Sequence, residues 1–306
     1  MVFIDKTTPH SSDSKDRLEA WKAGFLHNEQ PLSELYAEHN QTGDKLWAIL
    51  NQDVKDRLRE DLNTEQEGIC CYCCQALAAQ NTKIEHFLVK SAPDCEGEDK
   101  ITAFADRVFN YDNLLLSCDG GESSQRSYEV KRKQDGTLQT KQDIATQLNV
   151  TTELLDRLND SETVYNLGVK IKYTEGVHCD THRGNNFTPI INPTTERGCW
   201  QYFEVKNDGS MTVNPSIEDD SLRQIIENTL NPALNLGEPR LKDKRKQAWR
   251  KFDETLLEQE GFQATFPDPK ALYAYLESYL ADQLEIKAPF CFVNYHLIKN
   301  LMGNLL

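Results

Sequence analysis

The stretch Ile-Glu-His-Phe at residues 84–87 places an acid directly beside an imidazole, and it decides how we interpret the rest of the chain. A carboxylate such as Glu85 can hold a hard divalent cation, with Mg²⁺ the expected ion and Mn²⁺ an alternative. A neutral imidazole such as His86 can deprotonate an attacking water molecule. A bound cation then stabilises the leaving oxygen and the charge of the pentavalent state. The pair therefore predicts metal-assisted cleavage of a phosphodiester bond, with Glu85 as metal ligand and His86 as general base.

The cysteines predict a zinc site close to this stretch. The chain has nine of them and four crowd into residues 70–74, which favours thiol or metal chemistry in a reducing cytoplasm over a disulfide framework. Cys70 and Cys73 have the spacing that places two thiolates on one tetrahedral zinc ion. Cys118 and Cys179 are the other two predicted ligands, so the site would join the two ends of the segment at residues 119–177. Two alternatives stay open: a shifted cysteine pair at positions 71 and 74, and cysteines that are buried without a metal.

Three further residues are candidates for the catalytic site. Asn113 can orient the imidazole through its carbonyl oxygen or coordinate the cation, and both roles stay open. Asp180 directly follows Cys179. His182 lies three residues past Cys179 and shares a helix face with it if a short helix begins there. Either can be the second metal ligand, because Asp180 suits Mg²⁺ and His182 suits a softer ion. His178 is expected to pack beside the zinc.

The overall charge argues against unaided binding to nucleic acid. The chain has 34 Lys and Arg against 49 Asp and Glu, a net charge of −15 over 306 residues. Affinity for phosphates comes mostly from Lys and Arg, so we expect the substrate to be delivered or held by another component. No run approaches the roughly 20 apolar residues of a membrane span, and the start lacks a signal-peptide pattern. We therefore expect a cytoplasmic protein with no membrane contact.

Hydrophobic periodicity predicts an α+β protein in four parts. These are a helical N-terminal segment (residues 1–66), a core that contains the cysteine pair and the Glu85–His86 pair (67–118 and 178–215), an insert (119–177) and a helical C-terminal segment (216–306). The serine-rich residues 11–14 offer an N-cap for the first helix. Asn-Asp-Gly at residues 207–209 predicts the turn of a hairpin.

The insert is expected to form a small α+β unit of its own. The pattern predicts strands at residues 128–130 and 169–173 and helices at residues 142–147 and 152–158. This strand–helix–helix–strand order resembles a LysM module, with a core formed by Ile144, Leu148, Leu155 and Leu158. Part of the same run also fits half of a helix-turn-helix, and a packing unit without a ligand is the third reading.

Taken in order, five short motifs resemble the HNH endonuclease subunits of Septu-type and retron-associated anti-phage systems, the PtuB family. The motifs are C-x-Y-C at residues 70–73, Ile-Glu-His-Phe-x-x-Lys-Ser at 84–91, Tyr-Asp-Asn-Leu-Leu-Leu-Ser-Cys at 111–118, His-Cys-x-x-x-Arg-Gly-Asn at 178–185 and Ile-Asn-Pro at 191–193. The resemblance favours Cys70 and Cys73 over the shifted pair, because Tyr72 then lies between the two ligands. The chain departs from the family pattern in the length of its insert and in Arg183, which stands where Lys is expected.

The resemblance implies a zinc-stapled ββα-metal (HNH) core and an endonuclease that works with partners. The implied partners are a PtuA-like ABC-type ATPase and, in some systems, a retron reverse transcriptase and its DNA. DNA is the expected substrate, with RNA, including tRNA, as an alternative. Apolar helical positions such as Trp21, Phe25, Leu276 and Tyr279 are expected to contact the ATPase, and packing within the chain is the alternative.

A second class of function stays open, a zinc-stapled scaffold or binding subunit of such a complex in which Glu85 and His86 do not react. The basic run at residues 240–251 fits both classes, as a solvated helix face or as a helix that contacts phosphates or a partner. The sequence favours the nuclease, because Glu85, His86 and Asn113 are all present.

Overall fold

The structure is a computed structural model that describes most of the chain. The described residues are 1–27, 47, 48, 50–78, 81–90, 107–121, 126–148, 150, 152–159, 165–173, 176–252, 254, 268–285 and 289–303. The α-helices are α1 (Pro9–His27), α2 (Gln52–Glu65), α3 (Lys141–Leu148), α4 (Thr152–Leu158), α5 (Cys179–Arg183), α6 (Asp220–Asn228), α7 (Pro239–Phe252), α8 (Pro269–Glu285) and α9 (Cys291–Gly303). The strands are β1 (Thr82–His86), β2 (Leu114–Cys118), β3 (Arg126–Glu129), β4 (Lys170–Tyr173), β5 (Phe203–Val205) and β6 (Met211–Val213). They pair as small antiparallel sheets, β1 with β2, β3 with β4 and β5 with β6, so the described chain is a mixed α+β protein as predicted.

The β1–β2 sheet carries the predicted acid and imidazole. Its antiparallel register pairs Glu85 with Leu115 and His86 with Leu114. Neighbouring side chains on a strand point to opposite faces, so Glu85 and His86 face different surroundings. Leu115 belongs to the apolar core around the cysteines, whereas Leu114 belongs to a second core that includes residues of α2. The sheet therefore lies between two cores and presents one candidate catalytic residue to each.

The N-terminal residues are part of this arrangement. Ile4 is buried in the core around the cysteines. The Lys6 ammonium pairs with Glu65 of α2 at 2.5 Å and donates to the Leu114 carbonyl of β2 at 2.7 Å. A buried cation bonded to both elements fixes α2 against the sheet.

Helix α1 begins earlier than the sequence suggested. Its first residue is Pro9, and the Thr8 hydroxyl accepts from the Ser11 N–H at 3.3 Å. Proline suits the first position of a helix, because it lacks the N–H that would stay unbonded there. The N-cap predicted at residues 11–14 is therefore wrong, and those residues lie inside the helix.

Residues 126–173 contain the predicted strand–helix–helix–strand order. β3 and β4 pair antiparallel, and α3 and α4 lie between them in the chain. The unit has its own apolar core, which includes Ile144, Leu148, Leu155 and Ile171. Leu158 is half-buried and does not belong to this core, unlike the prediction.

The predicted hairpin turn joins β5 and β6. Gly209 has a φ of 78°, which favours glycine, and a Cβ atom there would collide with the Lys242 carbonyl of α7. The turn therefore packs directly against α7. Leu276 and Tyr279 of α8 pack with Phe252, the last residue of α7. The side chains of Leu276 and Tyr279 thus pack within the chain, which is the alternative to a partner contact that the sequence left open.

The side chains of Trp21 and Phe25 lie outside the described part of the structure. Within the described part, no helix has both the length and the apolarity needed to cross a membrane.

Candidate metal centre

Three local structures bring four cysteines together. A tight turn is closed by the Cys74 N–H, which donates to the Cys70 carbonyl at 3.0 Å. The Cys71 N–H ties this turn to the backbone of β2. β2 ends at Cys118, and α5 begins at Cys179. The turn, the end of a strand and the start of a helix therefore converge on one point.

The sulfur atoms of Cys70, Cys73, Cys118 and Cys179 form a buried cluster at this point. All four lie within 4.8 Å of one another. The Cys70–Cys179 and Cys73–Cys118 sulfur atoms are each 3.9 Å apart. A tetrahedral zinc site with Zn–S bonds of about 2.3 Å has sulfur–sulfur edges of about 3.8 Å. The four cysteines are those that the sequence predicted, and they can hold a structural metal ion such as zinc.

The electrostatics of the thiols favour a bound cation as well. Burial raises the pKa of Cys73 and of Cys179 well above the usual value. Hydrogen bonding with Cys179 lowers the pKa of Cys118 to about 7. Four thiols buried this close together can lose all their protons only when a cation compensates the thiolates, and zinc binding does so.

The two ends of the insert meet at this cluster. The His178 N–H donates to the Gly120 carbonyl at 3.1 Å, and a Cβ atom on Gly120 would collide with the His178 carbonyl. Gly120 also has a φ of 59°, so glycine suits both the conformation and the close approach. The buried His178 ring places Nε2 3.8 Å from the Cys118 sulfur. His178 therefore packs beside the cluster, as expected.

On the cysteine side of β1, Glu85 lies in a buried hydrogen-bonded network. Its Oε1 accepts from the Tyr72 hydroxyl at 2.8 Å and from Arg183 Nη1 at 3.0 Å. Arg183 Nη1 also donates to the Tyr72 hydroxyl oxygen at 2.8 Å, and Nη2 donates to the Phe87 carbonyl at 2.7 Å. Tyr72 is the central residue of the cysteine turn. The turn that contributes two thiols therefore also holds Glu85 in place.

Asp180 provides a second carboxylate beside Glu85. Burial, together with the charge of Asp180, raises the pKa of Glu85 well above its usual value, while Arg183 acts in the opposite direction. Residues three apart on a helix are neighbours, so Asp180 and Arg183 of α5 can both reach Glu85. Two carboxylates and one guanidinium leave one negative charge uncompensated. A proton or a divalent cation can neutralise that charge.

His86 lies on the other side of β1. Its Nε2 is 3.0 Å from the Val108 carbonyl oxygen, and its ring meets the Trp47 ring edge-on with the centroids 4.7 Å apart. A carbonyl oxygen only accepts hydrogen bonds, so this contact assigns the proton to Nε2 and makes Nδ1 the acceptor nitrogen. A neutral His86 ring therefore carries its proton on Nε2.

Asn113 forms hydrogen bonds with the backbone at two places after β1, at Leu88 and at Arg107. Its Nδ2 donates to the Arg107 carbonyl at 2.8 Å and to the Leu88 carbonyl at 3.0 Å. Its Oδ1 accepts from the Leu88 N–H at 2.6 Å. These contacts fix the chain after β1, and neither of the roles predicted for Asn113 is among them.

The structure thus divides the five residues predicted for catalysis. It brings Glu85 and Asp180 together, places His86 on the opposite side of β1, and bonds Asn113 to the backbone of Leu88 and Arg107. His182 lies on α5 two residues past Asp180, a spacing at which side chains do not share a helix face. Of the two candidates for the second ligand, Asp180 is therefore the one that lies beside Glu85.

Sequence reasoning missed Tyr72 and Arg183 as partners of Glu85. The alternation of side chains along β1 was a usable indication, because it directs Glu85 and His86 apart. The three-residue spacing of Asp180 and Arg183 was another, since it places a carboxylate and a guanidinium on one helix face.

Comparison with known proteins assigns no family, because no family model matches the chain and no curated protein matches it either. The function is therefore inferred from the residues of the site.

Proposed function

We propose that this protein is a metal-dependent endonuclease of the HNH class that hydrolyses phosphodiester bonds, with structural zinc at the four-cysteine cluster. The observation that carries the proposal is the placement of Glu85 beside Asp180, next to that cluster. β1, β2 and α5 would form the ββα-metal core, since α5 packs against β2. Residues 126–173 would be a LysM-like insert in this core.

Glu85 and Asp180 would hold a catalytic Mg²⁺ or Mn²⁺, which both prefer carboxylate oxygens. When bound, the cation would stabilise the leaving oxygen and the charge that develops on the phosphate. Tyr72 and Arg183 keep the Glu85 carboxylate in position through their bonds to Oε1. Arg183 also puts a guanidinium, a group that recognises phosphate oxygens, near the carboxylate pair.

His86 would act as the general base. With its proton on Nε2 and directed to the Val108 carbonyl, Nδ1 can accept a proton from water. His86 is the last residue of β1, so a phosphodiester that contacts both Glu85 and His86 would lie across the end of the strand. Trp47 packs against the imidazole and would have to move to admit such a substrate.

A scaffold or binding subunit is the second candidate, and the surroundings of His86 favour it. The residue is only 5 % exposed, and its ring is bonded to a main-chain carbonyl. A buried histidine with a satisfied ring nitrogen is an ordinary structural residue. In this alternative the cysteine cluster and the Glu85 network stabilise the fold, and the helical segments hold a partner.

Charge and the family resemblance support action within an assembly. A net charge of −15 repels nucleic acid over a Debye length of roughly 8–10 Å. We therefore propose that the chain acts with a PtuA-like ABC-type ATPase that presents the nucleic acid. DNA is the preferred candidate substrate, and RNA or tRNA is the alternative. A retron reverse transcriptase and its DNA are further candidate partners. Size-exclusion chromatography of the co-expressed pair tests this, and a nuclease that elutes alone and cuts equally well without the ATPase refutes it.

The activity is tested by incubating the complex with plasmid DNA and with tRNA in the presence of Mg²⁺, Mn²⁺ or EDTA. We expect His86→Ala to lose about 10²–10⁴-fold in cleavage rate, the usual contribution of a general base. Glu85→Gln and Asp180→Asn should lose both cleavage and calorimetric binding of Mn²⁺.

His182→Gln is the matched control on the same helix and should keep both properties. If cleavage survives in Asp180→Asn but not in His182→Gln, the second metal ligand is His182 and not Asp180. Wild-type protein that cuts neither nucleic acid with either cation would favour the scaffold.

A further inference from the structure

Arg245 of α7 is a fully buried cation. It is 0 % exposed and heads the residues with the largest fully buried side chains. Nη1 donates to the Gly209 carbonyl at 3.1 Å and Nη2 to the Leu236 carbonyl at 2.8 Å, while Nε has no partner. Both acceptors are neutral, and among the described residues no carboxylate forms an ion pair with this guanidinium. Burial of an unpaired charge is strongly unfavourable, so a negative group must act on Arg245.

The segment before α7 links Arg245 to the cysteine cluster. The Cys179 N–H donates to the Leu234 carbonyl at 2.8 Å, two residues before the Leu236 carbonyl that accepts from Arg245. Leu234, Leu236 and the cysteines belong to one buried core. Burial lowers the pKa of Arg245 to about 10, and the thiols of Cys73, Cys179 and Cys74 counteract this effect more than Glu238 does. Glu238 is already engaged, because it pairs with Arg240 at 3.1 Å and accepts from the N–H of Leu241. Cys73 and Cys179 are two of the four candidate metal ligands.

A zinc ion held by four thiolates has a net charge of −2, because the ion contributes two positive charges and the ligands four negative ones. We propose that Arg245 is the fixed counter-ion of this centre, an inference that rests on zinc occupying the four-cysteine cluster. The guanidinium suits the position because it stays charged at all working pH values and its planar fork spans two carbonyls. The metal centre and the docking of α7 are then coupled, since each supplies the charge that makes burial of the other favourable.

This coupling predicts opposite effects of one substitution in two states of the protein. R245M keeps most of the side-chain volume and removes the charge. In the zinc-loaded protein the variant loses the counter-ion, so zinc affinity should fall by about 10- to 100-fold, as for other residues that support metal ligands. In the zinc-free protein the same variant removes an uncompensated buried charge, so its urea midpoint should equal or exceed that of the zinc-free wild type.

The measurements are competition for zinc with a chromophoric chelator and urea unfolding with and without zinc. R245K keeps the charge but not the fork, and should retain zinc within about tenfold of the wild type. R250M removes an exposed arginine from the same helix and should change neither measurement. R245Q keeps hydrogen-bond donors without a charge and gives the same comparison if R245M does not fold.

A purely structural arginine gives a different result. R245M would then lower the urea midpoint by the same amount with and without zinc and leave zinc affinity unchanged, which overturns the counter-ion role. Wild-type protein that binds no zinc overturns the proposed metal centre itself, and the counter-ion with it.

Discussion

Replacing Tyr72 by Phe removes one hydroxyl group from the centre of the Glu85 network and leaves the aromatic ring in place. That hydroxyl donates to Glu85 Oε1 and accepts from Arg183 Nη1, both at 2.8 Å, in a side chain that is 0 % exposed. A hydrogen bond to a charged group contributes about 1.5–3 kcal/mol. Two such bonds set an upper limit of about 6 kcal/mol. Glu85 and Arg183 keep their direct contact at 3.0 Å, so neither charge is left without a partner.

We therefore expect Tyr72→Phe to lower the free energy of unfolding by about 2–4 kcal/mol. Urea unfolding of the zinc-loaded protein, followed by tryptophan fluorescence, measures it. Tyr202→Phe is the matched control, because that hydroxyl donates to Glu196 at 3.0 Å from a half-buried position. The control should cost less than about 1 kcal/mol.

The network also predicts non-additivity. Tyr72 and Arg183 share Glu85, so a double-mutant cycle with Arg183→Met should give a coupling energy of about 0.5–3 kcal/mol. Zinc content should stay unchanged in Tyr72→Phe, because the hydroxyl bonds to Glu85 and Arg183 and not to a cysteine. A loss equal to that of Tyr202→Phe, or additive effects in the cycle, would show that the cysteine turn does not hold Glu85 in place.

Three further predictions concern the framework of the site. Elemental analysis should find about one zinc per chain, and Cys70→Ser should lower both the zinc content and the thermal midpoint, because a structural zinc ion contributes to folding itself. Glu65→Gln leaves the Lys6 ammonium buried and unpaired, so it should lower the free energy of unfolding in urea by about 3–5 kcal/mol. The control Asp112→Asn breaks an exposed pair with Lys15 and should lower it by less than about 1 kcal/mol. Equal losses would contradict the buried role of Lys6. Replacing residues 122–175 by a short Gly/Ser linker should leave zinc content unchanged, since that unit has its own core, and a metal-free product would show that the unit supports the centre.

Local chemistry explains what the sequence could predict. The spacing of Cys70 and Cys73 defines a metal-binding turn wherever it lies in a fold, and Cys118 and Cys179 were identifiable because they flank one long insert. The hairpin turn at residues 207–209 was predictable for the same reason, since its glycine adopts a conformation that few other residues tolerate. Each of these features depends on residues that are close in the chain or on a ligand type that has few other uses.

The arrangement of the catalytic candidates depends on tertiary contacts, and there the prediction was incomplete. Adjacency in sequence suggested that Glu85 and His86 act as one pair, but adjacent residues on a strand face opposite sides. The carboxylate that does lie beside Glu85 is Asp180, which comes from a helix beyond the insert. Its position depends on how α5 packs against β2, which no local pattern encodes.

The basic run of α7 shows how packing changes the meaning of a charge pattern. From the sequence, we interpreted this run either as a solvated helix face or as a helix that contacts phosphates or a partner. In the structure Arg245 is buried, Arg240 donates to the Gly176 carbonyl at the base of the insert, and Lys244 donates to Gln75 beside the cysteine turn. Side chains committed to such contacts are less available to phosphates, and Lys and Arg supply most of the affinity for nucleic acid. The helix that most resembles a nucleic-acid contact in the sequence therefore uses three of its basic side chains for contacts within the protein.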